Sequence, residues 1–511
     1  MTPTHTGPTT GGIALRALRR YPDRVAFRWD GGQLTYAGAV DLIGRYQHVF
    51  AEHGIRRGHT VAVLTSNRAE SWCAGIAAQA SGLAISWLHP VGSLDDHLHQ
   101  IGDIDAAAVV IDTPRFAERG AAITEALDGV LVFGLGSAEF GHDLSALAEK
   151  AGAARPHDLA HGDDIAAINY TGGTTGRPKG AMRRHTAAAV MMQTGTLADF
   201  ELPAVPHYLA VAPISHVAGT KVLPTFALGG TVHLHAGFAP DRVLETIASE
   251  RINMTLLVPT MIYALLDQPA LDTTDLSSLE LLLYGASAMS PTRLVEGMDR
   301  IGPVFSQLYG QTECYPISVL RRADHDPATP ELLGSCGIPV STVQVALLDE
   351  ADEPVQDGEP GELCVRGIGV MEEYWRRPDL TAETLAHGWL HTGDVARADD
   401  RGYLTIVDRK KDMIITGGFN VFPREVEDAL AAHESVAVAA VFGVADERWG
   451  EAVTAAVVLR PGATVTAEDL IGHVKDRKGS VQAPKAVHFV TELPTTAVGK
   501  IDKKALRTEL S

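Results

Sequence analysis

The chain has 511 residues, of which 45% are apolar and 21% charged, proportions typical of a globular protein rather than a disordered or fibrous one. Because this length exceeds what one compact core accommodates, we expect two or more domains. The formal net charge of -20 argues against unassisted binding to nucleic acid or to an anionic membrane, since both require a basic face. Composition therefore favours chemistry on small molecules.

The cysteines and the first residues bear on the cellular compartment. Cys73, Cys314, Cys336 and Cys364 lie far apart, and no CxxC pair predicts a disulfide framework or a zinc site. The N-terminus lacks the basic start and apolar run of a signal peptide, and no apolar stretch reaches the roughly 20 residues of a membrane-spanning helix. We therefore expect a cytoplasmic protein without a membrane span.

Strand and helix patterns alternate in the first 260 residues. Apolar, β-branched runs at 61–65 and 106–111 predict buried strands, and the segment 66–82 between them has the pattern of a helix. Residues 231–259 repeat the order strand, helix, strand. This alternation is typical of parallel α/β layers.

The pattern changes in the second half of the chain. Period-2 segments within 343–367 predict antiparallel or barrel-like strands. Beyond them, a helix at 423–433 and strands at 436–444 and 452–459 predict a smaller α+β unit. We therefore predict an α/β protein with a large N-terminal domain of layered α/β subdomains plus a β-barrel-like part (1–407), a hinge (408–411) and a small α+β C-terminal domain (412–511).

The segment YTGGTTGRPKG at 170–180 has the composition of a phosphate-binding loop. Its glycines allow backbone NH groups to approach an anion, its threonines add hydroxyl donors, and Lys179 adds a positive charge. It is not a Walker A loop, because a proline precedes the lysine and a glycine follows it. Taken alone, the segment would favour a flexible hairpin, because glycine-rich loops are common.

Four further motifs follow this loop in a fixed order. They are LYGQTE (308–313), GWLHTGDVA (388–396), DRKKDMIITGGFNVFPREVE (408–427) and PTTAVGKIDKKALR (494–507). Together with the loop, the series resembles the adenylate-forming enzymes, which include acyl- and aryl-CoA ligases, the adenylation domains of peptide synthetases, and luciferases. The resemblance covers nearly the whole chain.

The resemblance implies a reaction in which a carboxylate attacks the α-phosphorus of ATP, expels pyrophosphate and leaves an acyl-AMP. The Gly/Thr loop would hold the leaving phosphates, because NH groups, hydroxyls and a cation stabilise the charge that develops on them. The phosphate-binding residues implied are Thr171, Gly172, Gly173, Thr174, Thr175 and Lys179.

The resemblance also implies a nucleotide pocket. Tyr309 would pack on the adenine, Asp394 would accept hydrogen bonds from the ribose hydroxyls, and Arg409 would lie on the ribose side. Thr312 would contact the α-phosphate, and Glu313 would help to hold Mg²⁺, a hard cation that prefers oxygen ligands. The other nucleotide-binding positions implied are Gly285, Ala286, Ser287, Gln307 and Gly310.

The C-terminal motifs carry an expectation of movement. In this family the small domain is mobile and takes two orientations, and the hinge residue matches Lys411. Lys500 matches the catalytic lysine that enters the active site during adenylation, and a compact ammonium on a flexible stem suits that task. Gly418, after Gly417, would leave room for the pantetheine arm of CoA, although glycines also serve ordinary turns.

The acid pocket is implied to lie along 213–221 and after Glu313. His216 matches a position that gates the carboxylate site, and a structural buried histidine is the alternative interpretation. Lys221 lies in an apolar segment, so it either reaches water or meets a polar group; in the pocket it would favour an acid with a second polar substituent. The pocket residues implied are His216, Val217, Gly219, Lys221, Gly285, Cys314 and Tyr315.

We predict an AMP-forming acid–thiol ligase that uses ATP, Mg²⁺ and CoA to convert a fatty or aromatic acid into its thioester. Two other acceptors stay open: a separate carrier protein, or an amine, the latter as in diazotising relatives that activate nitrite for an aryl amine. A nucleotide-binding protein without turnover is an alternative of another class, and the presence of Lys500, Glu313 and Asp394 together argues against it. The sequence does not identify the acid, and it does not decide between a monomer and a homodimer.

Overall fold

The structure is a computed structural model. It describes residues 7–171, 177–410, 412–417, 419–446, 448–495 and 501–510.

The strands of the N-terminal part supply three sheets. In chain order they are β1 (Val25–Trp29), β2 (Gly32–Thr35), β3 (Thr60–Leu64), β4 (Ala84–Leu88), β5 (Ala108–Ile111), β6 (Leu131–Gly134), β7 (His142–Asp143), β8 (Ile165–Tyr170), β9 (Gly180–Arg184), β10 (His207–Ala210), β11 (Thr231–Leu234), β12 (Met254–Leu257), β13 (Leu281–Gly285), β14 (Phe305–Gln311), β15 (Cys314–Leu320), β16 (Ile338–Pro339), β17 (Val343–Leu348), β18 (Gly361–Gly367), β19 (Glu373–Tyr374), β20 (Leu390–Ala398) and β21 (Leu404–Arg409).

Helices connect most of these strands. In chain order they are α1 (Thr10–Arg20), α2 (Tyr36–Glu52), α3 (Ala69–Ala80), α4 (Leu94–Asp103), α5 (Thr113–Ala126), α6 (Leu144–Ala151), α7 (His185–Val190), α8 (Val222–Ala227), α9 (Pro240–Ser249), α10 (Pro259–Leu266), α11 (Pro291–Ile301) and α12 (Pro378–Thr384).

A smaller α+β unit follows. Its elements are β22 (Ile414–Thr416), β23 (Phe419–Val421), α13 (Pro423–Ala431), β24 (Val436–Asp446), β25 (Gly450–Leu459), α14 (Ala467–Lys478), β26 (Ala486–Phe489) and α15 (Lys503–Leu510).

Two large mixed sheets form the body of the N-terminal part. The nine-stranded sheet has the order β16–β15–β14–β13–β12–β10–β11–β1–β2, and its central strands from β14 to β1 are parallel. The eight-stranded sheet has the order β19–β9–β8–β4–β3–β5–β6–β7, with β8 to β7 parallel. The predicted strands at 61–65 and 106–111 are β3 and β5, which pair directly in parallel, and the α/β prediction is confirmed.

Two antiparallel arrangements complete the fold. The segments within 343–367 form β17 and β18 of a four-stranded antiparallel sheet, in the order β17–β18–β20–β21. The C-terminal unit is built on a five-stranded sheet in which β24 and β25 form a long hairpin and β26 runs parallel to β25. Strand β21 ends at Arg409, within the predicted hinge at 408–411, and β22 begins at Ile414. The exact domain boundaries stay a prediction.

An aromatic cluster and one asparagine hold the two large sheets together. The rings of Phe27, Trp72 and Phe226 meet edge to face, with centroids 5.0 Å apart for Phe27 and Phe226 and 5.6 Å for Phe27 and Trp72. Asn67, just after β3, donates to the carbonyl of Ala212 at 2.9 Å and accepts from the NH of Ile214 at 2.8 Å. Because its side chain binds this neighbouring backbone, Asn67 lies outside the helix predicted from residue 66, and α3 begins at Ala69.

Gly44 provides a test of the packing between α2 and the segment that follows α6. A Cβ at this position would lie 1.9 Å from the carbonyl oxygen of Ala154, whereas a Cβ on the exposed helical Gly102 would meet no atom within 4 Å. We expect Gly44→Ala to destabilise the fold by about 1–3 kcal/mol through overpacking. Gly102→Ala should stabilise it by about 0.5–1 kcal/mol, because alanine has less backbone freedom to lose.

The measurement is the midpoint of thermal unfolding of both variants beside the wild type. The expected order is Gly44→Ala lowest and Gly102→Ala highest. Equal midpoints for Gly44→Ala and the wild type would contradict the close backbone approach.

Candidate active site

The predicted adenine-binding segments lie at the carboxyl ends of two adjacent parallel strands, β13 and β14. Gly285 pairs with Leu308, and a Cβ at Gly285 would lie 2.3 Å from the Leu308 carbonyl oxygen, so only glycine fits there. Ala286 follows with a φ of 67°, and both it and Ser287 are exposed. A non-glycine residue in the left-handed region is uncommon and is typical of functional turns.

Gln307 is tied into a buried network behind this edge. It is 8% exposed, and the Tyr284 hydroxyl donates to its Oε1 at 3.3 Å while also meeting the His325 Nε2 at 3.0 Å. Burial lowers the pKa of His325 to about 4, so the ring is neutral. The network orients the amide of Gln307, a residue within β14 that the sequence predicts to bind adenine.

Tyr309, Asp394 and Arg409 form the first cluster of predicted site residues. Asp394 is 2% exposed; the Tyr309 hydroxyl donates to its Oδ2 at 2.5 Å and the Arg409 Nε to its Oδ1 at 2.7 Å. Burial, reinforced by Asp394, raises the pKa of Tyr309 well above its usual value, so its hydroxyl remains a donor. The Asp394 carboxylate raises the pKa of Arg409, which keeps the guanidinium charged.

Lys179 and Glu313 form the second cluster through a residue that the sequence analysis missed. The Tyr374 hydroxyl donates a short hydrogen bond to Oε1 of Glu313, and the Lys179 Nζ lies 5.2 Å from the centroid of the Tyr374 ring. Burial, followed by the charge of Glu313, raises the pKa of Tyr374, so the phenol stays protonated. The structure thus brings the loop lysine and the predicted magnesium ligand to one aromatic ring.

Arg183 is a second residue that the sequence analysis missed. Its Nη2 donates to the carbonyl of Thr312 at 2.6 Å, while its Nε has no hydrogen-bond partner among the described residues. Burial lowers the pKa of Arg183, and the neighbouring Cys314 and Glu313 act against that shift. This guanidinium holds the turn that carries Thr312 and Glu313.

The two ends of the predicted phosphate loop, Thr171 and Lys179, lie within the described residues. The NH of Thr171 donates to the carbonyl of Lys179 at 2.9 Å, at the loop end of the β8–β9 hairpin. The rest of the predicted loop and the three mobile-domain residues lie outside the described residues: Gly172, Gly173, Thr174, Thr175, Lys411, Gly418 and Lys500.

His216 lies among neutral groups on the predicted acid side. Its Nδ1 lies 2.8 Å from the Ser215 Oγ, and its ring meets His89 edge to face with centroids 4.3 Å apart. Burial, followed by the His89 imidazole, lowers the pKa of His216 to about 3. Burial, followed by the His97 imidazole, lowers the pKa of His89 to about 4. An uncharged His216 can orient a carboxylate by a hydrogen bond but does not supply a positive charge.

The other predicted pocket residues divide into packing and polar roles. Val217 begins the 3-10 turn Val217–Lys221, and a Cβ on Gly219 would lie 1.8 Å from the Ile214 carbonyl oxygen. Cys314 is buried, and burial raises the pKa of its thiol to about 12, so it is a neutral packing group.

A Cβ on Gly310 would lie 3.0 Å from Cδ2 of Tyr315, which places the Tyr315 ring against the β14 turn. Lys221 does not reach water, contrary to the first of its two predicted alternatives.

The two domains meet through polar contacts near the predicted hinge. Asp408 accepts from the NH of Arg409 at 2.6 Å and from the NH of Arg424 at 3.0 Å, and the Arg424 Nη2 donates to the Met289 carbonyl at 3.0 Å. Burial raises the pKa of Asp408 to about 6 despite the opposing charge of Lys503. Gly417 donates to the Trp449 carbonyl at 2.7 Å in the same C-terminal unit.

A mixed cluster next to Asp394 was not predicted from the sequence. The His391 Nδ1 lies 3.5 Å from the Cys364 Sγ and 3.4 Å from the Glu362 Oε2, which also pairs with the Lys410 ammonium at 3.1 Å. Burial raises the pKa of the Cys364 thiol to about 12. Because Glu362 also accepts from the NH of Gly393 at 3.0 Å, the cluster braces the strand that carries Asp394.

The chain is similar to known proteins along nearly its whole length. Residues 15–375 match the family model described as AMP-binding enzyme, and residues 425–500 match the AMP-binding enzyme C-terminal domain. The chain is 44% identical to a medium/long-chain-fatty-acid–CoA ligase of Mycobacterium tuberculosis, over 99% of this chain and 90% of that protein. It is 38% identical to a feruloyl-CoA synthase of an Amycolatopsis species, over 97% and 98% of the two chains.

A solved structure resembles the whole chain. The amide bond synthetase McbA from Marinactinospora thermotolerans superposes with a TM-score of 0.91 at 34% identity, covering 98% of this chain and 100% of that one. Among the described residues, no helix is both long and apolar enough to cross a membrane.

Tyr374 offers a test of the second cluster. Tyr374→Phe removes the hydroxyl that donates to the buried Glu313. Because a hydrogen bond to a charged group contributes about 1.5–3 kcal/mol, we expect the KM for MgATP to rise ~10-fold or more. The measurement is the initial rate of ATP–pyrophosphate exchange at varied MgATP.

Tyr403→Phe is the matched control, since the Tyr403 hydroxyl donates to the Asp324 carboxylate at 2.9 Å away from the predicted site. It should leave the KM unchanged. An unchanged KM for MgATP in Tyr374→Phe would contradict the prediction that Glu313 takes part in nucleotide binding.

Asp408 makes stability depend on pH. Its pKa is about 6 in the fold against an ordinary 3.8, so the folded chain binds more protons than the unfolded chain between these values. The contribution of Asp408 to the free energy of unfolding is therefore fully present below about pH 4 and is lost as pH rises through about 6. The free energy of unfolding of Asp408→Asn, relative to that of the wild type, should therefore increase by about 2–3 kcal/mol from acid pH to pH 8.

Urea unfolding of both proteins from pH 4.5 to 8 measures this difference, with the exposed Asp400→Asn as the matched control. Parallel pH profiles for Asp408→Asn and the wild type would show that the carboxylate is not buried as described.

Proposed function

The chain belongs to the family of AMP-binding enzymes, and from that premise we propose that it is an ATP-dependent acid–CoA ligase. It activates a carboxylic acid as acyl-AMP and transfers the acyl group to the thiol of CoA. The whole-length similarity to ligases whose names include fatty-acid and feruloyl substrates supports this class of reaction.

Two clusters of polar side chains lie near the turn that connects β14 and β15, and this observation carries the proposal. Tyr309, Asp394 and Arg409 form one polar cluster at the end of β14. Lys179, Tyr374 and Glu313 form another at the turn between Gln311 and Cys314, which contains Glu313. Hydroxyl, carboxylate and guanidinium groups suit a ribose, and an ammonium beside a carboxylate suits a metal-bound polyphosphate.

These groups support a two-step mechanism. A carboxylate oxygen of the acid forms a bond to the α-phosphorus while the bond from that phosphorus to the pyrophosphate oxygen breaks. Lys179 and the neighbouring backbone NH groups stabilise the departing charge, and Thr312 orients the α-phosphate. In the second step the CoA sulfur attacks the acyl carbonyl, the thiol loses its proton, and AMP leaves.

The donor set fits Mg²⁺ at Glu313. The carboxylate is a hard oxygen ligand held by Tyr374, and 9% of the residue is exposed. Mg²⁺ bound there would neutralise charge on the phosphates. Glu313 and Tyr374 keep the ligand oxygen in place for it.

The proposal also assigns roles to three residues of the hinge and the C-terminal domain that lie outside the part of the chain that the structure describes. Lys500 acts as the catalytic lysine of the first step, Lys411 as the hinge residue, and Gly418 lines the passage of CoA. The polar character of the contacts between Arg424, Asp408 and the N-terminal part supports movement, since polar interdomain contacts are typical of domains that shift.

An amine acceptor is the second candidate function. Its support is the likeness, over nearly the full length of both chains, to a structure described as an amide bond synthetase. In that case the same acyl-AMP is attacked by an amine nitrogen, the nitrogen loses a proton, and an amide forms as AMP leaves. The ATP-binding residues are the same for both acceptors.

We expect acyl-CoA, AMP and pyrophosphate from MgATP, CoA and a preferred acid. The measurement is mass spectrometry of reactions with fatty, cinnamic and aminobenzoic acids, each run with CoA, with an amine, and with neither. Acyl-AMP and amide without thioester would replace CoA by an amine as the acceptor. No adenylate and no pyrophosphate from any acid would overturn the proposal.

Lys500→Ala and the exposed Lys504→Ala form a matched pair in the same assay. Loss of a charge that stabilises the transition state should slow adenylation by ~100-fold or more in Lys500→Ala alone. Thioester formation from supplied acyl-AMP should persist in both variants.

A further inference from the structure

Lys221 is a fully buried cation on the predicted acid side of the site. Its relative exposure is 0%, and it lies at the end of the 3-10 turn Val217–Lys221, where α8 begins. Within the described part of the chain, no carboxylate lies within ion-pairing distance of its ammonium. Burying such a charge is costly unless the site has a use for it.

Aromatic groups surround this ammonium. The Nζ donates to the Tyr315 hydroxyl oxygen at 2.9 Å, and it lies 4.5 Å from the centroid of the Phe200 ring and 5.1 Å from that of Tyr315. Ring faces attract a cation and offset part of its lost hydration. They leave its positive charge uncompensated.

The direction of the hydrogen bond determines what Tyr315 offers to a ligand. An ammonium has three donor hydrogens and no acceptor, so the Tyr315 oxygen accepts from Lys221. The phenolic proton of Tyr315 therefore points away from Lys221. A donor polarised by an adjacent cation forms stronger hydrogen bonds, especially with an anionic or electron-rich oxygen.

Tyr315 is placed to present that proton to the acid. Its ring lies against Gly310 in the turn after Tyr309, and it follows Glu313 by two residues. Tyr315 is half-buried, whereas Lys221 and Phe200 behind it are buried. The phenol is thus the contact surface of the pair, and Lys221 is a positioning residue that acts through it.

We propose that Lys221 and Tyr315 form a subsite for an oxygen substituent on the acid, away from the carboxylate that is activated. This inference rests on the proposed function and names its substrate class: acids that carry a second hydrogen-bond acceptor, such as a phenolic, carbonyl or second carboxylate oxygen. Plain hydrocarbon acids leave the polarised phenol without a partner and are disfavoured.

The test compares acids that have the same shape and differ in the oxygen. The probes are 3- and 4-hydroxycinnamic acid against 3- and 4-methylcinnamic acid, and decanedioic against undecanoic acid, assayed by pyrophosphate release. In the wild type, at least one oxygenated acid should exceed its partner ~10-fold or more in kcat/KM.

Two variants assign that preference to the pair. Lys221→Met keeps the length of the side chain without its charge, and Tyr315→Phe removes the hydroxyl alone. Each should remove most of this preference, a loss of ~10-fold or more, mainly through a higher KM for the oxygenated acid. Tyr403→Phe is the control. Thermal midpoints identify a variant that fails to fold, in which case the other variant decides.

The outcomes separate this inference from the proposed function. Pyrophosphate release from every acid with no oxygen preference would overturn the subsite and leave the ligase proposal standing. A preference that survives both variants would also overturn it. Absence of pyrophosphate release from every acid would overturn the ligase proposal and the subsite with it.

Discussion

The buried carboxylate of Asp394 is the contact on which the arrangement of the site depends. It links three strands from two sheets, because it lies on β20 and receives donors from Tyr309 on β14 and Arg409 on β21. A carboxylate that is 2% exposed is costly unless both oxygens are paired. The four-stranded sheet therefore docks where these donors converge, and the docking places the predicted ribose-binding groups beside the carboxyl ends of the parallel strands.

Each oxygen of Asp394 accepts one strong donor and retains a lone pair for another. These lone pairs are the predicted acceptors for the ribose hydroxyls. The strand itself is held independently of any ligand, since the Thr392 hydroxyl donates to the Leu363 carbonyl at 2.6 Å and Glu362 accepts from the NH of Gly393. Such preorganisation lowers the cost of binding, because the groups are ordered before the ligand arrives.

The acid side of the site has a different electrostatic character. His216 and His89 are neutral because burial lowers the pKa of each to about 3 and about 4, and the Cys314 thiol is neutral because burial raises its pKa to about 12. Lys221 stands among these groups as a buried positive charge. In a region of low polarity one such charge acts strongly on its neighbour, which makes Tyr315 the most consequential polar contact there.

The sequence by itself determined the α/β class, and it supplied the candidate site residues, whose roles stay predictions. β-branched runs predicted β3 and β5 because buried parallel strands require apolar side chains on both faces. Tyr309, Glu313, Asp394 and Arg409 could be named as candidates because they lie in motifs that resemble those of a known family. Only the tertiary structure decided the partners of these residues: Tyr374 lies 61 positions from Glu313, Arg183 lies 129 from Thr312, and Tyr315 lies 94 from Lys221. No local pattern encodes such pairs, because the hydrogen bonds and burial that define them exist only once distant segments have packed together.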